Sequence, residues 1–419
     1  MKTNTLLATS LTVLSVAPLA QAGSDPVIPA QPSPEEAAKQ FFKLNGNIRT
    51  RYEFREQDGA DASHALTARA RVGITLGDFN GFSAFVEGEA TYALIDDYKS
   101  NPTGSKSTEP FVLGNTVIGD PNNAELNRAW LQYEKSGFAF KLGRQRIIRD
   151  SAAFIGNVGW RQNEQTFDAA QISYEKDDFK ISYVYSDRAL RIFGADANDA
   201  LPGPPLRAFE GDFHFLDASY KTGSGNFGGY VYLIDVENNA NVGKSNTYGA
   251  FFKNDSFHVE FAGQNGTSNL AAGDYDAVYG HVVYTKKHKD SAFSFGVEYL
   301  GEDFKTPFGT VHAYNGYADA FILNRIGLSD SGGNYEGITD FYVGYTQKGL
   351  PYGLVLKMTA HYFMDDSMDQ AYGSEIDAVL IKAFRPDLKG VIKAAYFNAD
   401  KGSGYSDIQQ ISMGMNYSF

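Results

Sequence analysis

Arginine side chains recur at alternate positions in two neighbouring segments of the sequence. Arg49 and Arg51 lie in "LNGNIRTRYEFRE" at residues 44–56, and Arg69 and Arg71 lie in the next alternating segment. A guanidinium is planar, remains charged and binds a carboxylate through two parallel hydrogen bonds. Like charges on neighbouring strands repel one another unless an anion lies between them. These four residues therefore predict a surface that binds anions, either protein carboxylates or solutes.

Glu87 and Glu89, on the following predicted strand, allow two interpretations of this surface. Alternation along a strand places both carboxylates on the same face as Arg69 and Arg71. In the first interpretation, the acids neutralise the arginines in a purely structural ladder of charges. In the second, neutralisation is partial, and the remaining guanidiniums line a path for anions together with Arg128 on the fourth predicted strand.

The elements that position these residues are β-strands with two different faces. In the first segment, Leu44, Ile48 and Phe54 occupy one face and the arginines occupy the other, a period of two that indicates a strand. This alternation continues to the C-terminus and predicts eighteen strands, most of them close to the 9–11 residues that a tilted strand needs to cross a membrane. The predicted strands are residues 44–56, 65–77, 82–95, 125–134, 138–146, 166–175, 179–188, 213–221, 227–236, 246–253, 257–264, 275–286, 292–301, 336–346, 353–364, 374–384, 390–398 and 407–419.

The connections between these strands alternate between short and long. Every second connection is a tight turn such as "EKSG" or "KNDS", whereas the longest of the others span 96–124, 147–165, 189–212 and 302–335. This parity is typical of outer-membrane barrels, which have short periplasmic turns and long extracellular loops. We therefore predict an all-β fold, a transmembrane antiparallel β-barrel of about 18 strands. The apolar face meets lipid and the arginine face points into the lumen. The alternative class, a multidomain soluble β protein, gives no reason for sorting loops by parity.

The two ends of the chain support an outer-membrane location. Residues 1–22 have the charged start, apolar stretch and small-residue exit of a cleaved signal peptide. Residues 23–42 are proline-rich and predict a periplasmic linker, which leaves residues 43–419 for the barrel. The last strand ends at Phe419 and predicts contact with the barrel-assembly machinery. We expect outer-membrane lipid as a partner and no nucleic acid, because the formal net charge is -13.

Catalytic and metal-binding signatures are weak in this sequence. The seven histidines show no spacing such as HExxH. His258 and His281 lie at inward positions of neighbouring predicted strands, beside Glu260, and we expect a hydrogen-bond network there. The acidic segment "YFMDDSMDQAYGSEID" offers carboxylates to Ca²⁺, but solvated acidic loops are the commoner case. We therefore predict that the protein is not an enzyme and has no cofactor and no metal ion.

Three stretches of the chain resemble the alginate-export family of outer-membrane barrels. They are "LGRQRI", the nearby "FIGNVGWRQNEQTFDA" and the later "FKTPFGTVHAYNGYADAF" at residues 304–321. The resemblance implies eighteen strands, an arginine-rich lumen that passes a polyuronate, and substrate contact by Arg144, Arg146, Arg149 and Arg161. The chain departs from that pattern because its lumen also carries the acids Glu53, Glu87, Glu89, Glu260, Glu298, Glu375 and Asp377.

These observations together predict a passive outer-membrane channel. We expect an arginine-lined, mixed-charge lumen that favours small anionic or saccharide solutes, with acidic oligo- or polysaccharides such as alginate among the candidates. Flux requires that each contact with the solute is weak enough to be released. Two alternatives are a general non-selective porin and a structural barrel with a blocked lumen.

Overall fold

The structure, a computed structural model, describes residues 42–201, 203–310, 312, 314–329 and 335–419. Its framework is the predicted set of eighteen strands, with a one-turn helix, α1 (Ile322–Arg325), before β14 and a short 3₁₀ turn (Pro351–Gly353) after it. The strands are β1 (Phe42–Gln57), β2 (Ser63–Phe79), β3 (Phe82–Asp97), β4 (Asn123–Lys135), β5 (Phe138–Gln145), β6 (Thr166–Lys176), β7 (Phe179–Leu190), β8 (Ala208–Thr222), β9 (Gly225–Val236), β10 (Lys244–Lys253), β11 (Phe257–Ser268), β12 (Gly273–His288), β13 (Ser291–Leu300), β14 (Ile338–Leu350), β15 (Leu354–Met364), β16 (Ala371–Arg385), β17 (Leu388–Ala399) and β18 (Ile408–Ser418).

Each strand pairs antiparallel with the strands before and after it in the chain, and β1 also pairs with β18. This last pairing runs from Asn47 opposite Ser418 to Gln57 opposite Ile408 and closes the sheet into a barrel. Closure gives every strand two neighbours, which a sheet needs when lipid offers no hydrogen-bond partners. The predicted all-β barrel is therefore confirmed.

The two faces of the strands see different surroundings, as the alternation predicts. On β1, Leu44 and Ile48 are 49% and 44% exposed on the outside, whereas Arg51 and Glu53 are 3% and 1% exposed on the inside. On β2, Val72 is exposed and Arg71 is buried. The outer face is therefore apolar, and the charged side chains point into the lumen.

The two rims of the barrel differ in the length of the connections between their strands. One rim carries only tight turns, and aromatic pairs such as Phe82–Tyr133 and Phe138–Tyr174 lie on the adjoining outer surface with ring centroids 4.5 and 4.4 Å apart. Aromatic belts of this kind occupy the membrane–water interface. The other rim carries the long connections at 98–122, 146–165, 191–207 and 301–337.

The predicted signal peptide, residues 1–22, lies outside the described residues, and so does the predicted linker except for Phe42, which opens β1. In the part of the chain that the structure describes, no helix has the length and apolar character needed to cross a membrane. The proposed role of the last strand in assembly stays a prediction.

Candidate functional site

Two of the long connections fold into the lumen and meet there. The β5–β6 loop (146–165) and the β13–β14 loop (301–337) pair through a short parallel bridge between Ile155 and Phe308. The Gly156 amide donates to the Phe308 carbonyl at 2.8 Å. The Phe308 ring is fully buried and packs edge-on against Phe213 of β8, with centroids 4.8 Å apart. The interior of the barrel is therefore narrowed by ordered loops that are packed on its wall.

The four predicted arginines form one inward surface on β1 and β2, with Arg49 directly opposite Arg69 in the register. We call this surface the arginine ladder and define it as Arg49, Arg51, Arg69 and Arg71. Its guanidiniums donate hydrogen bonds to oxygen atoms of the β5–β6 loop. Arg49 donates to the Gln162 side chain at 2.8 Å and to the Gly159 carbonyl at 2.9 Å. Among its contacts, Arg69 donates to the Gln162 carbonyl, and so does Arg71, at 3.1 and 3.2 Å.

Arg51 lies 3.3 Å from Glu53 of the same strand and also contacts the β5–β6 loop and a third connection. Its guanidinium donates to the Trp160 carbonyl and to the Asp120 carboxylate. Asp120 belongs to the β3–β4 connection and also accepts the Gln162 backbone N–H at 2.7 Å. Burial alone favours the neutral acid, but Arg51 and Arg161 hold the pKa of Asp120 below its usual value. Asp120 is therefore an anionic counterpart that the sequence did not reveal.

The two predicted carboxylates of β3 pair with different strands. Glu89 lies opposite Arg71 and forms an ion pair with it. Glu87, in contrast, lies opposite Gly73 on that side and binds Arg128 of β4 through two hydrogen bonds of 2.9 Å. The register places Thr91, and neither carboxylate, directly opposite Arg69.

Arg146 and Arg161 tie the β5–β6 loop to buried acids. Arg146 binds Glu164 of the same loop at 2.6 and 2.7 Å. Arg161 lies 3.0 Å from Glu53 of β1 and 3.1 Å from Asp319 of the β13–β14 loop. Burial favours the protonated acid, yet Arg146 above all holds the pKa of Glu164 well below its usual value. Both arginines therefore act within the molecule as structural cations.

Arg144 and Arg149 lie apart from that group. Arg144 is on the outward face of β5 with the exposed Leu142, and it binds Asp168 of β6 there at 2.8 Å. Its side chain does not line the lumen, because alternation along β5 turns Gln145 inward instead. Arg149 reaches β8, where it lies 2.9 Å from Asp217.

The wall formed by β13 and β16 is acidic, and its carboxylates accept hydrogen bonds from donors of the β13–β14 loop. Glu375 of β16 accepts the Ala318 backbone N–H at 2.8 Å, and Asp377 accepts that of Tyr317 at 3.2 Å. Glu298 of β13 binds the buried Arg325 of α1 at 2.8 and 3.0 Å. One wall therefore supplies cations to loop carbonyls, and the other supplies anions to loop N–H groups.

A cavity of about 440 Å³ lies between these loops, near the rim with the long connections. Its lining combines apolar side chains, including Ile192, Phe193 and Leu323, with the guanidiniums of Arg55, Arg161 and Arg191. We call this cavity the vestibule. Apolar walls with a few fixed polar groups are the usual composition of a small-molecule site.

Two arginines of the vestibule have no carboxylate within 4.0 Å among the described residues. Arg55 of β1 donates to the Ala318 carbonyl and to the Gln410 side chain, both at 2.7 Å. Arg191 donates to the Pro205 carbonyl and lies 4.3 Å above the Phe209 ring. Burial lowers the pKa of the Arg191 guanidinium to about 10, because few charges compensate it.

Neither of these arginines is among the site residues predicted from the sequence. Arg55 continues the alternation of Arg49 and Arg51 and was therefore available as a signal. Arg191 follows the end of β7 in a connection without periodicity, and nothing in its local sequence distinguishes it.

The resemblance to the alginate-export family is confirmed for the first part of the barrel. Residues 41–186 match the family model described as "Alginate export". This match includes "LGRQRI" and "FIGNVGWRQNEQTFDA", whereas residues 304–321 lie outside it. Among curated proteins, none matches this sequence.

Solved structures of outer-membrane proteins share the fold at low sequence identity. OpdK from Pseudomonas aeruginosa matches with a TM-score of 0.63 and 12% identity, over 90% of this chain and 99% of that one. OccAB4 from Acinetobacter baumannii gives 0.66 and 14%, over 90% and 98%. A BenF-like porin from Pseudomonas fluorescens Pf-5 gives 0.66 and 13%, over 90% and 99%. The chain is an outer-membrane β-barrel with the porin fold, and its location is the bacterial outer membrane.

Proposed function

We propose that this outer-membrane barrel is a passive channel that favours small anionic solutes, which enter through the vestibule. The observation that carries the proposal is the pair Arg55 and Arg191, two buried guanidiniums in the same cavity that have no carboxylate within 4.0 Å among the residues that the structure describes. A desolvated cation is costly unless an anion or hydrogen bonds compensate it. A solute carboxylate supplies that compensation and is bound by charge-assisted hydrogen bonds.

The arginine ladder extends this preference along the wall that leads away from the vestibule. Arg49 is held by oxygens of the β5–β6 loop, and no carboxylate lies within 4.0 Å of it in the described residues. An anion that leaves Arg55 along β1 therefore meets a further cation on the same inward face. Each contact is an exchange of loop oxygens for solute oxygens, which keeps binding weak enough for release.

The size and lining of the vestibule favour small anions over a polymer. Its volume of about 440 Å³ suits a single ring that bears a carboxylate, either a sugar acid or an aromatic acid. Among the similar structures, OpdK has been solved with vanillate, an aromatic carboxylate. The family match keeps uronates, including fragments of alginate, among the candidate solutes.

The test is the reversal potential of single refolded barrels in a planar bilayer under a KCl gradient. We expect anion selectivity, which falls in the double variant Arg55→Gln and Arg191→Gln. Loss of one charge near a permeating ion changes its energy by about 1 kcal/mol, or about fivefold in local anion concentration. Arg144→Gln is the matched control, because it removes an arginine from the outward face.

Blocking experiments then identify the class of solute. Short uronate oligomers and a benzoate-type acid are added separately, and the class that interrupts the current transiently is the one that enters the vestibule. Cation-leaning current that neither acid affects would show a general porin and contradict the proposal. Absence of current would favour the other alternative, a structural barrel, which the two loops across the lumen also support.

A further inference from the structure

A second group of chemically active side chains lies at the rim with the tight turns, away from the vestibule. Asp150 of the β5–β6 loop comes within reach of His258 and Glu260 on the inward face of β11. One ligand atom from each residue can be chosen so that all three lie within 4.8 Å of one another. We propose that these three residues bind a divalent transition-metal ion such as Zn²⁺ and thereby fix the tip of the loop to the barrel wall.

The donor atoms are oriented toward one another and are not used elsewhere. Nε2 of His258 lies 3.5 Å from Oε2 of Glu260 and 3.9 Å from Oδ2 of Asp150. His258 is 5% exposed and Glu260 1% exposed. Both ring nitrogens of that histidine and Oε2 of that glutamate have no hydrogen-bond partner among the described residues. Buried polar atoms without a partner are rare and call for an explanation such as a bound ion.

The distances suit a tetrahedral ion. Ligand atoms about 2.1 Å from a tetrahedral centre lie about 3.4 Å from one another. The pair formed by His258 and Glu260 already has this separation, and Oδ2 of Asp150 lies about half an ångström farther than this from Nε2 of His258. Three protein ligands leave a fourth position for water, as in other open zinc sites.

The second oxygen of each carboxylate is held by another residue. Oε1 of Glu260 accepts a hydrogen bond from the Tyr230 hydroxyl at 2.7 Å. Oδ1 of Asp150 forms an ion pair with Lys253, the last residue of β10. Partners of this kind orient the free oxygen of a metal ligand and are typical of metal sites. They also explain how the two acids are placed next to each other without an arginine between them.

The mixture of ligands indicates the type of metal. Ca²⁺ takes six to eight oxygen ligands, and Mg²⁺ keeps most of its water, so neither suits one imidazole with two carboxylates. Imidazole suits zinc, copper, iron and nickel, and carboxylate oxygens are acceptable to each of these ions. Zn²⁺ is the natural first probe, because it has no redox chemistry and accepts this set.

At this position, a bound ion would restrain the tip of the β5–β6 loop. His258 is the second residue of β11, directly after a tight turn, so the site opens toward the periplasmic mouth of the lumen. Asp150 adjoins Arg149, which binds β8, and Ser151, whose carbonyl accepts the Tyr314 hydroxyl at 2.8 Å. A bound ion adds a further anchor to this tip and reduces its freedom to move across the lumen. This inference does not depend on the solute that the channel passes.

The test is calorimetric titration of Zn²⁺ into the tag-free, full-length barrel in detergent after treatment with a chelator. We expect one equivalent to bind, and Co²⁺ in its place to give the visible absorption of a four- or five-coordinate ion. His258→Gln, Glu260→Gln and Asp150→Asn each weaken binding by more than about tenfold, the loss that even an outer-shell partner causes. His214→Gln is the control, since His214 lies on the outer surface and pairs with Tyr183.

Folding of each variant is checked by the heat-dependent shift in gel mobility that folded barrels show. Asp150 lies in a loop, so Asp150→Asn does not remove a barrel residue and keeps the test decisive if a strand variant misfolds. Absence of stoichiometric binding by the wild type would overturn the proposal. Full binding by folded Asp150→Asn or His258→Gln would overturn it as well, because the ion would then occupy another place.

Discussion

Arg161 of the β5–β6 loop and Asp319 of the β13–β14 loop form a buried ion pair of 3.1 Å inside the lumen. Arg161 also binds Glu53 of β1, so one guanidinium joins both loops to the wall. Asp120 lies 3.8 Å away as a third acid, so the cation is well compensated. The two loops consequently behave as one obstruction, and Arg161 is one of the contacts that hold it to the wall.

Replacing Arg161 by methionine tests this contact. The change removes the cation that binds both Glu53 and Asp319, and loss of one partner of a buried pair costs about 3–5 kcal/mol. We expect the loops to separate, with larger and noisier single-channel conductance and a lower unfolding temperature. Arg385→Met is the control, because Arg385 forms an exposed pair with Asp387. Equal conductance in the two variants would show that Arg161 does not hold the loops.

Two substitutions that change the net charge of the lumen in opposite directions test whether the arginine ladder attracts anions. Arg49→Gln removes a cation that has loop oxygens as partners, and Glu164→Gln removes a buried anion beside Arg146. If the ladder attracts permeating anions, the reversal potential moves toward cations in the first variant and toward anions in the second. Removal of one charge at close range is expected to change the permeability ratio by about fivefold. An unchanged ratio in both variants would leave the ladder a purely structural role.

The strands could be predicted because their signal is local. Lipid outside and water or protein inside impose a period of two on each segment, and this pattern located all eighteen strands. The same pattern already placed Arg144 on the face of Phe140 and Leu142, away from the lumen. The choice of Arg144 as a site residue came from the family resemblance and not from the alternation.

The arrangement inside the lumen could not be predicted in the same way. The contact between Arg49 and Gly159 joins residues 110 positions apart, and the pair of Arg161 with Asp319 joins residues 158 apart. Such contacts depend on how the loops fold back into the lumen, and the alternation of apolar and polar residues carries no information about that. Arg191 was missed for this reason, since its role arises from the cavity that surrounds it.

Gly81, in the tight turn between β2 and β3, offers a test of packing at the periplasmic rim. It has a φ of +91°, and an added Cβ would lie 2.3 Å from the Glu134 carbonyl oxygen. Gly59 has nearly the same φ, +89°, with nothing within 4 Å of the corresponding position. We expect Gly81→Ala to destabilise the barrel more than Gly59→Ala by about 1–3 kcal/mol, the cost of overpacking. Equal melting temperatures in heat-dependent gel mobility would contradict this account.

His312 links the β13–β14 loop to the barrel wall in a neutral form. Its Nδ1 lies 2.8 Å from Asp319, and its Nε2 lies 2.7 Å from the Lys393 ammonium of β17. A second proton on the ring would have to face that ammonium. Burial above all lowers the pKa of His312 to about 3, and Lys393 adds to this effect against the opposing influence of Asp319.

Acidification should therefore release the β13–β14 loop. When the loop opens, His312 regains its ordinary pKa of about 6.5 and binds a proton that the closed loop excludes, so the closed state loses about 1.4 kcal/mol for each pH unit below 6.5. Between pH 7 and 5 this amounts to about 2 kcal/mol, and we expect conductance to rise over that range. The pKa of Asp319 is held below its usual value, so this carboxylate contributes only at still lower pH. His312→Gln keeps a polar side chain without the titration and should flatten the profile. An identical rise in conductance in that variant would assign the pH dependence to another group.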